Sequence, residues 1–181
     1  MVNFEALIGH NLGRDSLHTL PELLDSSWSR AHSFFPIFEG YPVIDSARDK
    51  WYWSRGLANT QFEAGQGRLL GPEGFSGFSS HRCIRFHHFA RWECFLEDNS
   101  VRARLRGVCR NIAETLKSKT IAYIPDSSYK PELALDLLLD GKTIDEIVEW
   151  LYVNCGRPAD IDALIAKSDL NRQNLYYVET L

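Results

Sequence analysis

Residues 81–124 carry the pattern that most restricts the fold. Val101, Leu105, Val108, Ile112 and Leu116 recur at spacings of 4, 3, 4 and 4, which lays one apolar stripe along a helix and demands a surface to cover it. Asn99 or Ser100 is placed to cap that helix. Before it stands HRCIRFHHFARWECFL, residues 81–96, dense in aromatics and free of Gly and Pro, which reads as a strand or hairpin arm. After it comes Thr120-Ile121-Ala122-Tyr123-Ile124, closed by Pro125-Asp126-Ser127-Ser128, a core strand that ends in a turn. Strand, helix and strand in this order predict a parallel β-α-β arrangement. The expected fold class is therefore α/β, a mixed or parallel sheet flanked by helices.

The flanking segments extend this alternation. Phe4-Glu5-Ala6-Leu7-Ile8 predicts a buried strand that stops at Gly9-His10-Asn11. Pro21 opens a helix carrying Leu20, Leu23, Leu24 and Trp28, and Pro131 opens another that ends at Gly141. Thr143 and Glu146 have the spacing of a capping box, which starts a helix through Ile144, Ile147, Val148 and Leu151. Leu175 to Val178 reads as a terminal strand. Five of the 12 glycines fall between Gly65 and Gly77, and this segment reads as a long loop or a set of short hairpins, with residues 65–80 a mobile connector or a lid with Phe75 and Phe78 at its tip. Trp51-Tyr52-Trp53 reads as a planar-ligand wall or a strand with one packed face.

Composition sets the outer limits. A chain of 181 residues, 44% hydrophobic and 24% charged, matches one globular domain over residues 1–181 with enough core to need no disulfide or structural metal. Cys83, Cys94, Cys109 and Cys155 form no C-x-x-C and read as buried small hydrophobes. The N-terminus lacks a basic leader with an apolar core, and no run approaches a membrane span. These features predict a cytoplasmic protein with reduced thiols and no membrane association.

Chemistry is expected where polar turns close strands. If the strands at 4–8 and 120–124 run parallel as neighbours, His10 and Asp126 emerge at one carboxyl edge, where open α/β sheets place ligands. His10 then serves as general base, Asp126 orients it, and Ser127 or Ser128 supplies a hydroxyl. The bland alternative is that Asp126 and Ser127 form an Asx turn. Arg85 or Arg91 would clamp an oxyanion, with Asn11, His87 and Ser128 beside the substrate. Adjacent His87 and His88 point to opposite faces of a strand, so they predict no metal site. The glycine segment matches neither G-x-x-x-x-G-K-[ST] nor G-x-G-x-x-G, and no cofactor is assigned.

Charge is unevenly distributed. Residues 81–119 hold nine basic against four acidic side chains, whereas 131–166 hold eight acidic against Lys142 and Arg157, in a chain of net charge −4. The basic stretch suits a phosphate-bearing or other anionic small molecule. The acidic pair of helices has the outline of the first two helices of a helix-turn-helix module, but its charge repels phosphate, so DNA is not an expected partner. It suits a basic protein partner, or the 81–119 face of a second copy in a homodimer. Two functional classes follow: a small-molecule hydrolase or transferase with an anionic substrate, and a non-enzymatic interaction module of regulatory, antitoxin-like or immunity-like type.

Overall fold

The computed structural model describes residues 2–28, 50–54, 67–126, 131–158, 160–166 and 176–181. Strands β1 (Asn3–Gly9), β2 (Tyr52–Trp53), β3 (Gly67–Leu70), β4 (Phe75–Ser79), β5 (Cys83–Arg91), β6 (Thr120–Pro125) and β7 (Tyr177–Thr180) form one sheet in the order β2-β3-β4-β5-β1-β6-β7. Every neighbouring pair is antiparallel. The expected mixed or parallel sheet is thus incorrect, and the class is α plus β. The reason lies in one inserted strand. β5 and β6 point the same way, as a β-α-β unit requires, but β1 lies between them and pairs antiparallel with both.

β1 holds that central place because both of its faces are buried. Phe4, Ala6 and Ile8 join one core cluster with Phe86 and Tyr123, and Leu7 joins another with Cys83, Ala122 and Ile124. Helices α1 (Leu20–Trp28), α2 (Trp92–Glu97) and α3 (Asn99–Leu116) cover the first face, together with α6 (Ile161–Ala166). Helices α4 (Ala134–Leu139) and α5 (Ile144–Cys155) cover the second. The α3 stripe is buried along its whole length from Val101 to Leu116, each such side chain contributing roughly 1.5–3 kcal/mol. Its cap is Asp98 rather than Asn99 or Ser100: the Asp98 carboxylate accepts the N–H groups of Ser100 at 2.8 Å and Val101 at 3.1 Å.

For the glycine-rich stretch the hairpin alternative, not the long loop, is the one that forms. Within the glycine segment, β3 and β4 pair as an antiparallel hairpin around a 3-10 turn, Pro72–Gly74. A Cβ on Gly74, which sits at φ 82°, would lie 2.2 Å from the Phe89 ring. The glycine there serves close packing and a left-handed turn. The run 81–96 is one strand followed by α2, whose Trp92 and Phe95 stack at 5.0 Å inside the core. Trp51 is likewise a core side chain, and Tyr52–Trp53 pairs with β3. Among the described residues no helix is long and apolar enough to cross a membrane.

Candidate functional site

The antiparallel sheet separates the residues expected to converge. Asp126 lies beside the start of β1, where its carboxylate accepts the Asn3 backbone N–H at 2.7 Å and the Asn3 side-chain amide at 2.9 Å. His10 lies past the other end of β1. A seven-residue strand spans roughly 20 Å, so His10 and Asp126 do not form the expected pair. Ser127 and Ser128 fall outside the described residues. Arg91, opposite Asn3, ends β5 at the Asp126 end of the sheet. Arg85 and His87 lie farther along the same strand.

His10 has other work. Its Nε2–H donates to the Ser80 carbonyl at 2.9 Å, with Ser79 Oγ at 3.2 Å, and its Nδ1 accepts the Leu12 N–H at 3.3 Å. Burial, reinforced by His81 and opposed by the Ser80 bond, pushes its pKa down. The neutral ring therefore ties two turns together and has no spare lone pair to take up a substrate proton.

What His10 supports is a cleft. Gly9, His10 and Asn11 line a cavity of about 260 Å³ together with the carboxyl end of α3 and the first turn of α5. Gly9 lets α5 seat this closely, since a Cβ there would lie 2.7 Å from Ile144 Cγ2. Three cations from separate positions line the cleft: Arg82 ahead of β5, Lys117 at the end of α3, and Lys119 ahead of β6. None has an ion-pair partner among the described residues. Ser118 and Thr143 add hydroxyls, and Asp145 is the one acidic group in the lining among the described residues. Lys117 occupies the left-handed region at φ 59°, where glycine ordinarily ends a helix. Nearby Cys83 is no nucleophile: burial first, then Asp145 and Glu146, push its thiol up to about 12.

A second polar cluster lies within the sheet. Glu5 is fully buried, and its Oε1 accepts Arg85 Nε at 2.9 Å, Arg85 Nη2, and His87 Nδ1 at 3.3 Å. Glu5 Oε2 is buried with no hydrogen-bond partner among the described residues. The carboxylate selects the tautomer of His87 protonated at Nδ1, which leaves Nε2 as the acceptor. The His87 side chain is 33% exposed. Among the described residues no group of three His, Cys, Asp or Glu side chains is placed to hold a metal ion.

Sequence reasoning located Arg85 and His87 but not Glu5, although a lone acid in an apolar strand run was its signal. It flagged the basic stretch 81–119 but not Arg82, Lys117 and Lys119 as the members that share a cavity. Scans of protein-family models, of curated proteins and of solved structures each returned no match to this chain.

Proposed function

We propose that the protein binds a phosphate-bearing small molecule in the cleft formed by the end of β1, the end of α3 and the start of α5. One observation carries this reading: Arg82, Lys117 and Lys119 line a cavity of about 260 Å³ without a carboxylate partner among the described residues. Gathering three cations with one opposing acid, Asp145, is unfavourable until an anion occupies the space between them. Arg82 offers planar paired donors to phosphate oxygens, and the two lysines act as mobile point charges. Calorimetric titration with inorganic phosphate and pyrophosphate tests the reading. Binding should weaken at least about tenfold in Arg82→Ala/Lys119→Ala, a loss of about 1.4 kcal/mol, while the melting temperature without ligand does not fall. Equal affinity of variant and parent rejects the cleft as the site.

A catalytic reading rests on a different observation, the buried Glu5 carboxylate that orients His87. In this reading the protein is a hydrolase in which His87 Nε2 takes a proton from the water that attacks the ester, Glu5 stabilises the imidazolium, and the imidazolium returns that proton to the alkoxide as the ester bond breaks. Hydrolysis of a panel of phosphate and carboxylate esters should disappear in both His87→Gln and Glu5→Gln. Activity that survives His87→Gln removes this reading and leaves the phosphate cleft unaffected.

A further inference from the structure

The second face of the sheet carries a groove that neither reading uses. It lies between β5 and α4, has a volume of about 390 Å³, and is floored by Phe78, Leu135 and Leu138. On its rim Leu133 is 49% and Leu139 is 50% exposed, two of only four large hydrophobic side chains so exposed among the described residues. Glu132 and Asp136, four residues apart, also line it and have no ion-pair partner among the described residues. The single cation in the lining among the described residues, Arg85, is already neutralised by Glu5. The groove is therefore a trough with an apolar floor and two negative charges that no cation offsets among the described residues.

We infer that this groove receives a basic, amphipathic segment of another protein, whose lysine or arginine side chain lays its aliphatic stem on Phe78 and the leucines. Charge complementarity selects this occupant. The stem buries apolar surface while the cationic head meets Glu132 and Asp136. An acidic or phosphate-bearing partner meets repulsion here, and a wholly apolar one leaves both carboxylates without a counter-charge. Eight described residues line the trough, against the roughly 20–30 that each partner contributes to a standard stable interface, so it suits a short segment with fast exchange.

A fluorescein-labelled peptide of alternating lysine and leucine, titrated with the full chain and read by polarisation, tests this inference, with a glutamate and leucine peptide as its twin. The basic peptide should bind saturably and the acidic twin should not. Glu132→Lys/Asp136→Lys should weaken binding at least tenfold. Glu149→Lys/Asp162→Lys, which alters net charge equally outside the groove, should change it less than twofold. Leu133→Ser/Leu139→Ser should also weaken binding while the circular dichroism spectrum stays that of the parent. Equal weakening by the two charge reversals would show attraction to general acidity and overturn the inference. Failure of the basic peptide to bind at millimolar concentration would overturn it too.

Discussion

His88 sits between the Phe75 and Phe89 rings at centroid distances of 4.4 and 4.2 Å, donating from Nε2 to the Glu73 carbonyl and accepting the Ala90 N–H at Nδ1. Burial, with a smaller contribution from His87 and opposed by the Glu73 bond, pushes its pKa down to about 3. The unfolded chain binds a proton at this ring below about pH 6.5, whereas the native chain does not until about pH 3. Stability from His88 is thus complete above about pH 6.5 and falls as the pH drops through that window, by on the order of 5 kcal/mol. Urea unfolding of His88→Phe should show lower stability than the parent at pH 7, because two backbone partners lose their bonds, but a flatter dependence between pH 6.5 and 4. An unchanged pH slope would assign the acid sensitivity to another group. Lys117 gives a second residue-scale prediction. At φ 59°, Lys117→Gly relieves strain and should raise stability by about 1 kcal/mol. The same change should weaken phosphate binding, so stability and affinity move in opposite directions. A joint loss would make Lys117 structural.

At the scale of elements, the edge strand β7 is anchored by a buried side chain as well as by its pairing with β6. Glu179 is 5% exposed and accepts bonds from Arg106 at 2.9 Å, from Arg110 at 2.6 Å and from the Tyr123 hydroxyl at 2.7 Å. Burial on its own raises its pKa, but the hydrogen bonds from Arg106, Tyr123 and Arg110 outweigh that and hold it below the usual carboxylate range. This contribution is present above the ordinary carboxylate pKa and is lost as the pH falls below it. Glu179→Gln leaves two arginines facing one neutral amide. With both guanidinium groups partly in solvent, the expected cost is about 2 kcal/mol, less than for a fully buried pair. Hydrogen exchange should quicken at residues 177–180 while the central β1 and β5 amides keep their protection; uniform loss would mean the strand is not held separately. The α5 start is a simpler device. Thr143 Oγ1 accepts the Glu146 N–H at 3.2 Å, and Glu146 Oε2 accepts the Thr143 N–H at 2.8 Å, so Thr143→Ala should cost about 1 kcal/mol in chemical denaturation.

For the whole molecule, the opposed charges of residues 81–119 and 131–166 raised the expectation of a charge-paired homodimer. The fold disperses the basic side of that pairing. Arg85 turns to Glu5, and Arg106 and Arg110 turn to Glu179. Arg82, Lys117 and Lys119 gather in the cleft beside Asp145. Less positive charge is left to meet a second copy, so light scattering should give a monomer mass at both low and high salt. A dimer that dissociates as salt rises would show that surface charges still pair between copies, since exposed charges are screened beyond about 8 Å at physiological ionic strength.

Local physics made several elements legible in the sequence. The α3 stripe, the Thr143 capping box and the strands around residues 4–8 and 120–124 each follow from side chains within a few positions of one another. The same holds for the polar turn after Ile8. Strand order does not have that origin. Whether β1 enters between β5 and β6 depends on which faces find apolar cover, and Phe4, Leu7 and Ile8 meet helices more than ten residues away in the chain. That one placement reversed the direction of pairing and moved Asp126 to the far end of β1 from His10. It also set Glu5 against Arg85 and His87, 80 and 82 residues away. The basic cleft arose in the same way: Arg82, Lys117 and Lys119 were visible as charges, but only the seating of α5 on Gly9 made them the wall of a cavity. Periodicity and capping act over a turn or two of chain and can be read directly, whereas burial of two sheet faces is a property of the assembled core.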